Sequence, residues 1–338
     1  MIKSKGQKLS IMPVSREAVL EMNISLEYFL TVAEERSITR AAEKLFVSQQ
    51  CVSSHIKKLE QLYQAELFTR RPVFRLTLEG EALRQNLLRQ RVLESALAEE
   101  LDELRQQRIN RIRVGIHNTR ASLILPSVIR NFHQIFPDVQ IKIHQRNTST
   151  FETMLLNGDL DLFLATDTRE RPEFRCIFLQ REQIILVATR RFLREHMMDS
   201  VLTTQRVSPA QLAQLPFICS PEESYLQTKI DAWSAEQKFV LQKKIVVGTY
   251  QIQLILAAQS EGACFCPQMF LQMASGLNQA VSDEDQLIPV SVEGFHLSTE
   301  LSVITHRDAY QSAILRKFSD ILADTISSIL NINSLSAL

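Results

Sequence analysis

Between Ser48 and Leu59 the chain carries Gln49, Gln50, Ser53, Ser54, His55, Lys57 and Lys58, and no acidic residue. Amides and hydroxyls pair with the edges of bases, and lysines suit phosphates. From Arg36 to Lys58 five basic residues (Arg36, Arg40, Lys44, Lys57, Lys58) stand against one acid, Glu43. The whole chain is neutral, with 38 basic and 38 acidic residues, but a phosphate backbone responds to the local field on one surface. Further along, Arg70, Arg71 and Arg75 flank Pro72-Val73-Phe74, an apolar-basic hairpin able to reach sugar-phosphate. Contacts to double-stranded DNA are therefore expected from Arg40, Ser48, Gln49, Gln50, Ser53, Ser54, Lys57, Lys58, Arg70, Arg71 and Arg75.

A second constellation is His117-Asn118-Thr119-Arg120, between an alternating apolar stretch and a helical one. Hydroxyl, amide and guanidinium groups beside free helix N–H donors make an anion receptor. Ser149, Thr150, Ser220 and Thr249 fall at comparable strand ends, where open sheets hold ligands. The eight residues His117, Asn118, Thr119, Arg120, Ser149, Thr150, Ser220 and Thr249 are expected to bind a small, polar, carboxylate-bearing effector. Catalytic patterns are missing: HExxH, GxGxxG, a P-loop and GxSxG do not occur. Neither enzymatic activity, a metal nor a cofactor is expected. Asp159-Leu160-Asp161 reads as a turn into a strand, and His133 as lying on the outer face of its helix. Cys264 and Cys266 have strand spacing, which is expected to turn the two thiols to opposite faces rather than let them chelate. Cys51, inside the DNA-reading helix, reads as a small packing residue.

These groups need elements to hold them. Residues 1–21 lack sustained periodicity and read as a loosely ordered extension; alternatively, translation begins at Met22. Ser25 is expected to cap a first helix carrying Leu26, Phe29, Leu30 and Ala33 at helical spacing. Ser37 caps a second with Ala41 and Ala42, small enough for a steep helix crossing. Ser48 caps a third, with Val52, Ile56, Leu59 and Leu62 on one buried stripe. Short helix, turn and longer helix make a helix-turn-helix, whose second helix enters the major groove. Thr77 is expected to cap a long helix reaching about Gln107, with Leu93, Leu97, Leu101 and Leu104 in a stripe. That face packs either on the chain's own C-terminal half or on a twin subunit, and a twin would place two reading heads on a symmetric operator.

Beyond Arg111, strand and helix alternate as in an open α/β sheet. Strands are expected at Ile112–Ile116, Val139–Ile143 and Leu160–Ala165, with a helix over Ser122–Phe136 and another capped by Thr148 or Thr150. Phe174–Leu179 and Gln183–Thr189 read as two further strands. A second α/β unit follows, then a returning strand at Glu300–Thr305 and a closing helix at Gln311–Leu322. Two such lobes enclose a cleft. The expected fold is thus α+β and multidomain. It comprises an extension (1–21), a winged helix-turn-helix (22–80), a linker helix (81–108) and a two-lobed effector domain (109–330). Lobe I takes 109–188 and 294–330, and lobe II takes 189–293. Apolar runs are too short for a membrane span and no signal peptide is evident. Five scattered cysteines do not form a disulfide framework, so a cytoplasmic location away from membranes is expected. The rival readings are a small-solute-binding protein without DNA-binding activity, and an α/β enzyme.

The sequence resembles the LysR-type transcriptional regulators from Met22 to about Asp324. The resemblance rests on Ser37-Ile38-Thr39-Arg40-Ala41-Ala42-Glu43-Lys44-Leu45, on Ser48-Gln49-Gln50-Cys51-Val52-Ser53, and on Ile56, Leu59-Glu60, Leu67-Phe68, Arg70, Leu76-Thr77 and Gly80. Weaker echoes are Leu125-Pro126, Phe136-Pro137-Asp138-Val139 and Gly158-Asp159-Leu160-Asp161. It implies a winged helix-turn-helix, a dimerising linker helix and an effector domain like a periplasmic binding protein. It further implies a homodimer or dimer of dimers that answers a metabolite, with RNA polymerase as a further partner. Family effector positions fall on Thr119, Arg120, Thr150 and Thr249. Gln64 stands where the family usually has glycine, so a differently shaped turn is expected there, and the wing reads one residue short.

Overall fold

The computed structural model describes residues 16–69, 73–105, 111–168 and 170–332. The chain divides into two compact units that meet in sequence at Val92 and Leu93.

In the first unit, α1 (Arg16–Glu35), α2 (Ile38–Leu45) and α3 (Gln49–Tyr63) precede a hairpin of β1 (Phe68–Thr69) and β2 (Arg75–Leu76). The start of α4 (Leu78–Leu104) follows. Phe29, Val32, Ala41, Ala42, Val52, Ile56, Leu59, Leu67, Phe68 and Leu87 form one buried cluster. Side-chain oxygens cap three of these helices: Ser37 accepts from Arg40 N, Ser48 from Cys51 N and Thr77 from Gly80 N. Each such cap contributes about 1 kcal/mol.

Several expectations fail here for local reasons. Ser25 is not a cap, because α1 begins nine residues earlier, at Arg16. Its buried hydroxyl instead donates to Glu21 O (2.9 Å) and meets His55 Nδ1 (2.8 Å). Leu62 is 52 % exposed, since at 100° per residue it has rolled off the stripe begun by Val52. Gln64 keeps the shape a glycine would give, with φ 51° and its N–H donating to Glu60 O. Gln64 thus takes a left-handed conformation that favours glycine, at the strain cost of a residue with a side chain.

The second unit continues with β3 (Arg111–Gly115), α5 (Asn118–Ile135), β4 (Gln140–His144), α6 (Thr148–Leu156) and β5 (Leu162–Thr166). Next come β6 (Phe174–Thr189), α7 (Arg190–Glu195), α8 (Asp199–Thr204), β7 (Arg206–Val207) and α9 (Pro209–Leu212). Then follow β8 (Pro216–Cys219), α10 (Tyr225–Glu236), β9 (Gln242–Val246), α11 (Tyr250–Ala258), β10 (Cys264–Pro267) and α12 (Leu271–Asn278). The last elements are β11 (Leu287–Val292), β12 (Ser298–His306) and α13 (Ala313–Ile332). An eight-stranded mixed sheet has the order β4-β3-β5-β12-β6-β11-β7, with β10 also on β6, and β8 and β9 form a parallel pair.

The two strands expected at 174–179 and 183–189 are one 16-residue strand. The polar run Gln180-Arg181-Glu182-Gln183 resembles a loop in sequence, yet it pairs with Ser298–Leu301 across a register shift at Leu301/Ser302. β6 therefore gives its first part to β12 and its last part to β10 and β11, linking both lobes. One buried cluster reflects this, running from Ile112, Ile124 and Phe318 to Leu254, Cys264 and Phe270. Cys264 and Cys266 both enter that cluster, while Phe265 enters a second one around Trp233. The expectation of opposite faces was an error of periodicity, since residues two apart on a strand share a face. α5 begins at Asn118 rather than Ser122, and α6 is capped by Asn147 rather than by Thr148 or Thr150. His133 is exposed, as its helical position suggested.

Candidate DNA-reading face and effector cleft

In the first unit, burying Val52, Ile56 and Leu59 leaves the opposite side of α3 to solvent. Ser48, Gln49, Gln50, Ser54, Lys57 and Lys58 are exposed there, and Ser53 is half-buried. Lys57 makes no ion pair among the described residues, whereas Lys58 bridges to Glu21. That hydrogen bond and the charge behind it hold the Glu21 carboxyl below its usual range. Ser48 already spends one oxygen lone pair on the helix N-terminus. His55 does not belong to this face: it packs edge-on against Tyr28 (centroids 4.9 Å apart) and bonds Ser25. Arg40 is exposed at the start of α2, its guanidinium on Glu35 O. The hairpin beside α3 pairs Thr69 with Arg75, and Arg75 is exposed. Arg70 and Arg71 lie outside the described residues.

In the second unit a cleft of about 740 Å³ opens between the lobes. His117, Thr119, Arg120, Ser149 and Ser220 line it, as do Gly248 and Tyr250. Asn118, Thr150 and Thr249 do not. Thr150 is occupied elsewhere, its hydroxyl donating to Asn147 Oδ1 at 2.6 Å. α5, α10 and α11 all begin at this cleft, at His117, Ser224 and Thr249, and no side chain caps any of the three. Uncapped N–H groups carry the positive end of each helix dipole.

Arg120 is not free to greet a ligand. It is 6 % exposed and ion-paired at 2.7 Å to Glu182, itself fully buried on β6. Glu182 Oε1 also accepts from Met269 N (2.9 Å). Sequence reasoning missed Glu182 because it sat in the polar run mistaken for a loop. Burial, and secondarily the nearby guanidinium, keep the His117 imidazole below its ordinary value, hence neutral near pH 7. Tyr250 is pushed up to about 12, chiefly by burial, and contacts Ser220. Ser220 accepts from Gln253 Nε2 (2.9 Å), and Gln251 Nε2 donates to Thr119 O (2.8 Å) and Ser122 Oγ (2.9 Å), tying α11 to α5. At the far wall Lys229 Nζ donates to Asp167 Oδ2 at 2.8 Å and lies 4.6 Å from the Tyr225 ring centroid. No group of side chains among the described residues is arranged to hold a metal ion.

Two family models match this chain. One, described as the LysR substrate binding domain, covers residues 105–327, and the other, a bacterial regulatory helix-turn-helix of the lysR family, covers 25–81. The chain belongs to the LysR family. Its relatives include the uncharacterized HTH-type transcriptional regulator YfeR of Shigella flexneri, 29 % identical over 57 % of this chain and 61 % of that protein. Another is a probable RuBisCO transcriptional regulator of Trieres chinensis, 26 % identical over 87 % of this chain and 93 % of its own length. The chain spans about half to two-thirds of the length of several relatives, such as YfeR (61 %), SsuR (46 %) and YraN (64 %). Among solved structures, ArgP of Mycobacterium tuberculosis shares the fold at a TM-score of 0.64 and 21 % identity, covering 90 % of this chain and 96 % of that one. LysG of Corynebacterium glutamicum, solved with bound effector Arg, gives 0.59 at 17 % identity over 90 % of this chain and 98 % of its own. The winged helix-turn-helix and the α/β effector domain expected from sequence are both present, and these relatives are regulators rather than enzymes.

Proposed function

We propose that this chain is a sequence-specific DNA-binding transcription regulator whose operator occupancy is set by a small, polar, carboxylate-bearing effector. The observation that carries the proposal is the solvent side of the first turns of α3: amides, hydroxyls and two lysines in a stretch, Ser48 to Leu59, that itself holds no acidic residue, over a buried core. Gln49, Gln50, Ser53 and Ser54 read base edges; Arg40, Lys57, Lys58, Arg70, Arg71 and Arg75 bind phosphates. The LysR relative CbnR has been solved in complex with its target DNA. The carboxylate is assigned to the cleft because three uncapped helix N-termini converge there.

A second subunit belongs to this reading. Leu93, Leu97, Leu101 and Leu104 of α4 are 39–75 % exposed in the single chain, and a matching helix would cover them. Two heads then bind two half-sites in the cytoplasm, with RNA polymerase as the partner through which occupancy reaches transcription. Fluorescence anisotropy on a duplex from the region upstream of the chain's own gene tests this. Binding that weakens steeply with added salt is expected, because phosphate contacts release counterions. Failure to bind that duplex at low ionic strength, with the cleft still taking ligands, would leave only a solute-binding protein.

A further inference from the structure

Among the described residues, the charges around the cleft do not sum to a positive site. Arg120 is neutralised by Glu182 (2.7 Å), Arg171 by Glu152 (3.2 Å), and Lys229 occupies Asp167 (2.8 Å). Glu223 also lines the cleft, is exposed, and has no ion pair among the described residues. Attraction for an anion thus comes from helix ends and hydroxyls, while the full charges of the described residues leave one carboxylate, Glu223, over.

The wall around Asp167 has the chemistry of an ammonium site. Asp167 holds φ +49°, a strained conformation for a residue with a side chain. That turn is locked to β12 by Asp167 N to Glu300 O (2.9 Å) and by Glu300 N to Asp167 Oδ1 (2.7 Å). Thr168 and Thr299, which flank this lock, both line the cleft, and each has a buried hydroxyl. Among the described residues, Oγ1 of Thr299, which is 3 % exposed, has no hydrogen-bond partner, and Thr168 Oγ1 has none either. Buried hydroxyls left in that state cost free energy until a ligand meets them. Tyr225 adds an aromatic face that already receives one ammonium, that of Lys229. Carboxylate, hydroxyl oxygens and an aromatic face all accept, and an ammonium, with three donors and no acceptor, matches them.

We infer that the effector is a zwitterion of the α-amino-acid class. Its carboxylate lies at the uncapped starts of α5 and α11, and its ammonium on the wall formed by Asp167, Thr168, Thr299 and Glu223. This rests on reading the cleft as the effector site.

The test uses the full chain and calorimetric titration with the twenty standard L-amino acids, each binder paired with its 2-hydroxy acid, its N-acetyl derivative and its amide. A parallel panel holds plain mono- and dicarboxylates. At least one amino acid should bind, with each counterpart lacking a pole at least tenfold weaker. Glu223→Gln should weaken the amino acid and leave the hydroxy acid unchanged. Asp167→Asn should do so more strongly, and Glu223→Gln keeps the test valid if the former fails to fold. If hydroxy acids or plain carboxylates bind as well as amino acids, the zwitterion is wrong and the carboxylate cleft stands. If nothing in either panel binds, the cleft reading falls as well.

Discussion

Replacing Arg120 by methionine isolates the buried ion pair at the base of the cleft. The guanidinium and the Glu182 carboxylate are 2.7 Å apart, with side chains 7 % and 0 % exposed. Glu182 Oε2 has no hydrogen-bond partner, so the cation is its main compensation. Removing one member of such a pair strands the other and costs about 3–5 kcal/mol, whereas replacing both is often close to neutral. Arg120→Met should therefore lower stability by that amount. The double variant Arg120→Met/Glu182→Gln should recover most of it, because glutamine still offers an oxygen to Met269 N. The chain contains a single tryptophan, Trp233, 8 % exposed in the second unit. Urea unfolding followed by its fluorescence thus reports on that unit alone, and an unchanged slope shows that the unfolding reaction is the same. A loss below about 1 kcal/mol for Arg120→Met, or a double variant no better than the single, would refute the pairing argument.

Other expectations follow from the same packing. His117 has a folded pKa below its unfolded value of 6.5, so below that pH the unfolded chain binds the proton first. The stability of the second unit should fall as pH drops under about 6.5, and His117→Gln should flatten that limb of a pH–urea series. Burial raises the thiols of Cys219 to about 11 and Cys264 to about 12, from 9.0. Above pH 9 the unfolded state ionises first, so stability should decline by roughly 1.4 kcal/mol per pH unit per thiol; a Cys264→Ala variant that keeps the full slope would count against it. In the first unit, a Cβ on Gly80 would stand 2.1 Å from Leu67 O, a backbone atom that cannot swing aside. Gly80→Ala should cost about 1–3 kcal/mol, read as a drop in melting temperature of the DNA-binding unit by circular dichroism.

The helix-turn-helix was legible because its signals are local. Ser37 and Ser48 cap, Ala41 and Ala42 permit the crossing, and the acid-free stretch follows directly. The cleft was legible only in its loops: His117, Thr119, Arg120, Ser149 and Ser220 converge, yet their partners come from distant sequence. Glu182 lies 62 residues from Arg120 and Gln251 lies 132 from Thr119, and no periodicity encodes such meetings. Polar residues inside β6 concealed a continuous strand, because strand pairing to β12, rather than apolar alternation, keeps Gln180–Gln183 extended. Ser25 and His55 misled for a related reason. Each has the type of a cap or a reading residue, but they face one another across α1 and α3.

The central claim is that α3 reads bases through its amides. The decisive measurement is the ratio of affinities for the chain's own upstream duplex and a scrambled duplex of equal length. It should be made at one fixed salt concentration, for the wild type and for Gln49→Ala/Gln50→Ala. The free-energy preference that this ratio expresses should fall by about 1–3 kcal/mol per lost base contact, with scrambled-duplex binding unchanged. An unaltered ratio in a folded variant would contradict the assignment of α3 as the reading helix.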